Sequence, residues 1–307
     1  IEQGKETLAK IEVKNHDNGS LCPKAHFHNR ITVEQVLKAP IVAWPLGLFD
    51  CCGNSDGAAC AIVTTAAKAR DFRSDSVYLK GFGIATDSML PHFRPGFSWT
   101  SFDSLVKSSH KAYEMAGIKN PREELDVAEV HDCFSITELL IYEDFGFSPR
   151  GSAREDVDAG FFTREGGLPV NIDGGLKCFG HPIGASGLRM TYEVYKQLQG
   201  KADLPERQSK NPRLGLAHTF GGPPQISAVA ILGSEKGYPG NRQNRLMQRQ
   251  IDSAHIHSSA PASGRFLRPG PNFETRGVFG PNSGAPQKAE PGPEPSSCPL
   301  QFSACPK

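Results

Sequence analysis

The sequence predicts a layered α/β fold, with helices packed on a mixed, mostly parallel central sheet. Three observations carry that expectation. Short β-branched runs alternate with longer stretches whose apolar residues recur at helical spacing. From residue 76 onward the element order is β-α-β-α-α-β-β. Glycines follow the helical stretches, where a left-handed residue closes a helix.

The elements can be justified in order. "EQGKETLAKI" (2–11) and "VEQVLK" (33–38) read as short helices. "GAACAIVTT" (57–65) is a run of small and β-branched residues suited to a buried strand. "SVYLKGFGIA" (76–85) is a second strand. In "SFDSLVKSSHKAYEMAG", Phe102, Leu105, Val106, Ser109 and Tyr113 keep the i, i+3, i+4 spacing of an amphipathic helix, with Gly117 as its C′ residue. "LDVAEV" (125–130) is a short buried strand, and "FSITELLIYEDFG" a helix closed by Gly146. "GASGLRMTYEVYKQLQG" is a helix closed by Gly200; "RLGLAH" and "ISAVAILG" are the last two strands.

Composition narrows the function classes. The chain has 307 residues, room for one large domain or two ordinary ones, and a net charge of +1. That balance gives no electrostatic reason to expect nucleic acid or an anionic membrane surface. No apolar run approaches the ~20 residues that span a bilayer. The start "IEQGKETLAK" lacks both an initiator Met and the apolar core of a secretory signal, so the chain is not read as secreted. The end "SACPK" is not of the S-K-L type. The expected location is cytoplasmic, or peroxisomal or mitochondrial in a eukaryote. Eight scattered cysteines fit reduced thiols better than a disulfide framework. Near residue 234 the composition turns rich in Pro, Gly, Ser, Arg and Gln without helical or strand period. Residues 234–307 are therefore expected to be disordered, and are read as a non-native extension rather than a regulatory tail.

In open α/β sheets, ligand chemistry gathers beyond the C-terminal ends of the strands. Three loops fall there. In "AEVHDCFSITELL" a strand ends in His131, Asp132 and Cys133, and a helix follows at once. Asp132 suits the N-cap of that helix; a histidine beside a helix start is by itself ordinary packing. "NIDGGLKCFGHPIGASGLR" (171–189) offers glycines for close backbone approach and places His181 before Pro182, at a helix start. An imidazole there sits in a positive field that keeps it neutral, and free N–H groups nearby can hold an oxyanion. In "LAHTFGGPP" (216–224), His218 ends a strand. Three imidazoles beside Cys133 make an acid/base site. Zinc is the rival, through Cys178-x-x-His181, but no second close-spaced ligand pair accompanies it, and no metal is expected.

These loops, in this order, resemble the thiolase superfamily. "HDCF" (131–134) is similar to the variant of the N-E-A-F motif in sterol-carrier-linked thiolases, and "GHPIGASG" (180–187) to the G-H-P motif. "HTFGG" (218–222) falls where most thiolases carry C-x-G, and "LFDCCGNSDGAACAIVT" (48–64) resembles the strand that closes the N-terminal half-fold. The resemblance spans residues 1 to about 233. It implies a C-terminal thiolase half-fold with a five-stranded sheet and the N-terminal half largely missing. It also implies domains at 1–47 (remnant of the loop domain covering coenzyme A), 48–70 (last strand of the N-terminal half), 71–233 (C-terminal domain) and 234–307 (tail). The implied reaction is acyl transfer between 3-oxoacyl-CoA and coenzyme A, a cosubstrate, with no covalently bound cofactor. By the same resemblance, His181 assists the nucleophile, His131 serves an oxyanion hole, and Cys133 replaces the C-x-G cysteine as acid/base where this chain has His218. The nucleophile itself would lie upstream, leaving the chain inactive alone; Cys51 and Cys52 are poor substitutes, Cys60 is expected in the core, and Cys178 in loop packing. Full-length relatives of this kind form homo-oligomers. Two alternatives stand beside this: a non-catalytic acyl-CoA-binding subunit, and a retro-aldol lyase on a steroid or branched acyl-CoA.

Overall fold

The computed structural model describes residues 2–88, 90–222 and 225–234, so the expected disordered tail lies outside the described residues save for Ser234. The N-terminal helix α1 (Glu2–Ser20) leads to α2 (Val33–Lys38), a small ribbon of β1 (Ile41–Ala43) and β2 (Leu46–Gly47), and the single turn α3 (Ala69–Phe72). There follow β3 (Tyr78–Thr86), α4 (Asp103–Ala116), the turn α5 (Pro121–Glu124) and β4 (Val127–Glu129). Then come α6 (Ser135–Asp144), α7 (Ala153–Asp158), α8 (Gly175–Phe179), α9 (Ser186–Leu198), β5 (Leu214–Gly221) and β6 (Ile226–Gly233).

The main sheet is mixed, in the order β3-β6-β5-β4. It corrects the expectation of five mostly parallel strands. Among the described residues there are four: β3–β6 and β6–β5 pair antiparallel, and only β4–β5 is parallel. Only four residues separate β5 from β6, which forces the second of these pairings, because a parallel return needs a crossover of a dozen or more residues. Val170 adds one isolated parallel bridge to Ala128.

Helices cover both faces. On one, α4 lies so close to β3 that a Cβ at Gly83 would stand 1.9 Å from the Ser108 carbonyl oxygen, and one at Gly81 2.4 Å from that of Ala112. Glycine there permits the approach. Leu105, Ala112 and Tyr113 of α4 join Ile141, Tyr142 and Phe145 with Leu216, Val229 and Ile231 in one core. On the other face, Met190, Val194 and Leu198 of α9 pack on Val127, Ala217 and Leu232. Gly117 closes α4 at φ 77°, as its position predicted.

The expected strand at 57–65 does not form: residues 53–65 take no regular structure, and Ile62 and Val63 are 93% and 87% exposed. Cys60, expected in the core, is exposed. A strand needs a neighbouring edge for its N–H and C=O groups, and no described strand pairs with this run.

Candidate active site

β4 ends at Glu129 because its chain must turn into the loop that carries His131, Asp132 and Cys133. That loop is bound to two others. Its first partner is the stretch after β2. Cys51 bridges Phe134 antiparallel, Cys52 N–H donates to Cys133 O at 2.9 Å, and Ser135 N–H donates to Asp50 O at 3.1 Å. The same stretch holds the glycine-rich loop, since His181 N–H donates to Gly53 O at 2.9 Å. A Cβ on Gly180 would strike Ser55 Oγ at 2.5 Å, so glycine is required for this contact.

Asp132 supplies the second tie and corrects its expected role. It does not cap α6, whose N-terminal Phe134 has no side-chain cap. Its carboxylate instead accepts the backbone N–H of Leu176 at 2.7 Å and of Lys177 at 3.4 Å, at the start of α8. Asn15 of α1 donates to it at 3.2 Å. Gly175, at φ 62°, lets the carboxylate come close: a Cβ there would lie 2.3 Å from Oδ2. Burial pushes the Asp132 carboxyl up to about 6, with Glu138 adding to the rise while Lys177 and the Leu176 N–H oppose it. Below it, Lys177 pairs with Glu12 at 2.9 Å and donates to Asp50 O, and Lys14 pairs with Glu138. A buried polar network thus fastens α1, α6 and α8 beneath the loops.

The three predicted imidazoles meet. The rings of His131 and His181 lie edge to face with centres 4.9 Å apart, and those of His131 and His218 are 6.5 Å apart. Phe220 stands 4.5 Å from His131 and closes one wall. His218 departs from expectation in one respect: β5 runs on to Gly221, so His218 lies within the strand, opposite Val229. Burial holds all three rings neutral. His131 is pushed down to about 3 by burial, then by His181 and Arg189; His218 falls well below the usual imidazole range; His181 is lowered less.

His181 has a defined proton arrangement. Ser186 Oγ donates to Pro182 O at 3.1 Å and so accepts from His181 Nδ1 at 2.8 Å. Nε2 is left as the basic atom. His131 Nδ1 lies 3.4 Å from Thr219 Oγ1. Cys133 is half-buried, its Sγ 3.8 Å from Thr137 Oγ1, and burial raises its thiol. Burial also raises Cys51, Cys22 and Cys178 and drives Cys52 up to about 12. None of these five thiols is activated as a nucleophile. Cys178 is fully buried and donates to Asn15 O at 3.4 Å, in keeping with a packing role.

Asp50, Lys177, Ser186 and Thr219 escaped the sequence reading. Only Ser186 carried a signal, as a hydroxyl five residues after a histidine at a helix start.

Comparison with known proteins bears on the family and the fold. Residues 91–234 match the thiolase C-terminal domain-like family. An acetyl-CoA acetyltransferase of Methanothermobacter thermautotrophicus is 40% identical over 227 residues, covering 74% of this chain and 58% of the relative. Human sterol carrier protein 2 is 34% identical over 261 residues, covering 83% of this chain and 46% of the relative. The chain thus spans about half the length of these curated relatives. Among solved structures, the Ltp2-ChsH2(DUF35) aldolase superposes with a TM-score of 0.66 at 23% identity, covering 76% of this chain and 60% of that one. Human mitochondrial 3-ketoacyl-CoA thiolase gives 0.53 at 15% identity, covering 75% and 55%. At those identities the likeness is one of fold. With residues 91–234 matched to the family's C-terminal domain, and relatives 40% and 34% identical over 74% and 83% of its length, this chain belongs to the thiolase superfamily.

Proposed function

We propose that the chain supplies the acid/base and oxyanion part of a thiolase-type acyltransferase site acting on acyl-CoA and coenzyme A. The observation that carries this is the edge-to-face contact of His131 and His181, two neutral imidazoles from different loops, with ring centres 4.9 Å apart. Neutral rings suit the task. His181 Nε2 takes the proton of an attacking thiol and then donates it to the thioester oxyanion. His131 donates to the enolate oxygen that forms when the C–C bond breaks. Cys133 returns a proton to the enolate carbon, since burial keeps its thiol in the protonated form that can give one.

The covalent step also needs an activated nucleophile, and the five raised thiols do not offer one. We infer that it comes from a companion segment, covering the exposed run at 57–65 as the last strand of its own half-fold. Residues 1–47 would then border the coenzyme A channel, and 71–233 form the C-terminal domain.

Isothermal titration with coenzyme A and a thiolysis assay on acetoacetyl-CoA test this together. The chain is expected to bind coenzyme A and to turn over only when a nucleophile-bearing half is supplied. In the assembled enzyme, His131→Ala should lower kcat by about 100-fold and change KM little, because the enolate oxyanion exists only on the way to product. Turnover by the chain alone would place the nucleophile among its own cysteines. Absence of coenzyme A binding, alone and assembled, would overturn the reading.

A further inference from the structure

His218 is the one member of the trio with both ring nitrogens engaged inside the protein. The residue is 1% exposed. Nδ1 receives the backbone N–H of His131 at 3.5 Å. A nitrogen that accepts carries no proton, so the proton of the neutral ring sits on Nε2. Nε2 faces Ser227 Oγ at 3.2 Å, and that hydroxyl therefore accepts. Ser227 passes its own proton toward Ser108 Oγ at 2.6 Å, and Ser108 donates to Leu105 O at 3.0 Å. The series ends on a carbonyl, which has no proton to return, so it can run in one direction only. Ser108 and Ser227 are both fully buried.

We propose that His218 is a positioning residue, locked as its neutral Nε2–H tautomer by Ser227 and Ser108, that fixes the His131 peptide and transfers no proton. The surroundings agree. Phe145 meets the ring edge to face at 4.7 Å, and Phe220 lies 5.8 Å away. Besides burial, the group that disfavours its charge is His131. Ser108 is anchored by the close α4–β3 contact at Gly83, so the lock is built into the core rather than into a loop. The consequence for catalysis rests on the proposed thiolase reading: where this chain has His218 in place of the C-x-G cysteine, proton return falls to Cys133 alone. The tautomer itself does not depend on that reading.

The test is a long-range proton–nitrogen correlation spectrum of the full chain with 15N-labelled histidine, followed from about pH 5 to about pH 8. His218→Gln identifies the His218 signals. The expected result is a protonated Nε2 and bare Nδ1 at His218 throughout, with no titration. Ser227→Ala, and independently Ser108→Ala, should shift the His218 and His131 signals and leave those of His26 and His28 in place. A protonated Nδ1 in the wild-type chain, or titration of His218 inside that range, would overturn the proposal, whether or not either serine variant folds. Loss of coenzyme A binding would sink the functional reading and leave the spectrum unchanged.

Discussion

Two stretches of this chain are nearly alike in chemistry and opposite in fate. Gly57–Thr65 reads GAACAIVTT, and Ile226–Gly233 reads ISAVAILG. The second is β6, paired to β3 on one side and β5 on the other. The first is irregular and exposed along most of its length. Composition does not separate them. What separates them is access to an edge: β6 has two, and the 57–65 run has none among the described residues. β-propensity expresses fit to a pleated, half-buried surface, so a strand-forming sequence stays open until such a surface is offered.

The sharpest way to break this contrast is to damage the surface beneath β6's neighbour. Gly83→Ala puts a methyl 1.9 Å from the Ser108 carbonyl oxygen, and backbone must move to admit it. The expected cost is about 3 kcal/mol, read from the urea midpoint at constant m-value. A loss below about 1 kcal/mol would mean that α4 lifts easily from β3. The packed region would then be nearly as permissive as the open one.

The same distinction governs what could be read beforehand. Helices were legible because their signals are local: α4 ends at Gly117, in the left-handed conformation that closes a helix. His131 and His181 were legible as neighbours because a strand end and a helix start announce themselves along the chain. Pairing was not. Nothing near residue 60 says whether a partner strand exists, and nothing near Asp132 says that the N–H groups it caps lie 44 residues on, at Leu176. The direction of the sheet failed for the same reason: the order of elements suggested crossovers, while the four-residue link between β5 and β6 decided the geometry. His218 shows the limit within the site: it is expected at a strand end, but it lies buried within β5, against Ser227 and the Ser108 behind it from two other elements.

A second prediction concerns charge in the packed region. Glu129, the last residue of β4, is fully buried; its carboxylate oxygens have no hydrogen bond, and Arg189 lies 3.8 Å away while also serving Asp173. Burial drives its carboxyl up to about 8 from an ordinary 4.5. The native state therefore keeps the proton over a range in which the unfolded chain has released it. The stability this group contributes is full below about pH 4.5 and is lost as pH rises through about 8. Glutamine has no proton to lose. Glu129→Gln should gain about 2 kcal/mol on the wild type between these limits, seen as denaturation curves that diverge with rising pH. Parallel curves would show that Arg189 keeps the carboxylate ionised, and that the packed region tolerates charge as readily as the open one.

The smallest effect is expected where the contrast is starkest. Ile62→Ser and Val63→Ser remove apolar groups already in water, and each should change stability by less than about 0.5 kcal/mol. The same replacement at Val229 or Ile231 of β6 would cost about 3 kcal/mol, because those side chains are buried in the main core. Hydrogen exchange gives the backbone counterpart: amides of 57–65 should exchange within about tenfold of a free peptide, and those of β6 more than about 1,000-fold slower. If Ile62→Ser proved costly, or these amides were protected, something would already cover the run in solution. A dependence of that protection on protein concentration would identify the cover as a second copy of the chain; its absence would leave the cover within the chain itself. Either result would show that the open strand had found its edge, and the difference between the two stretches would then be one of partner alone.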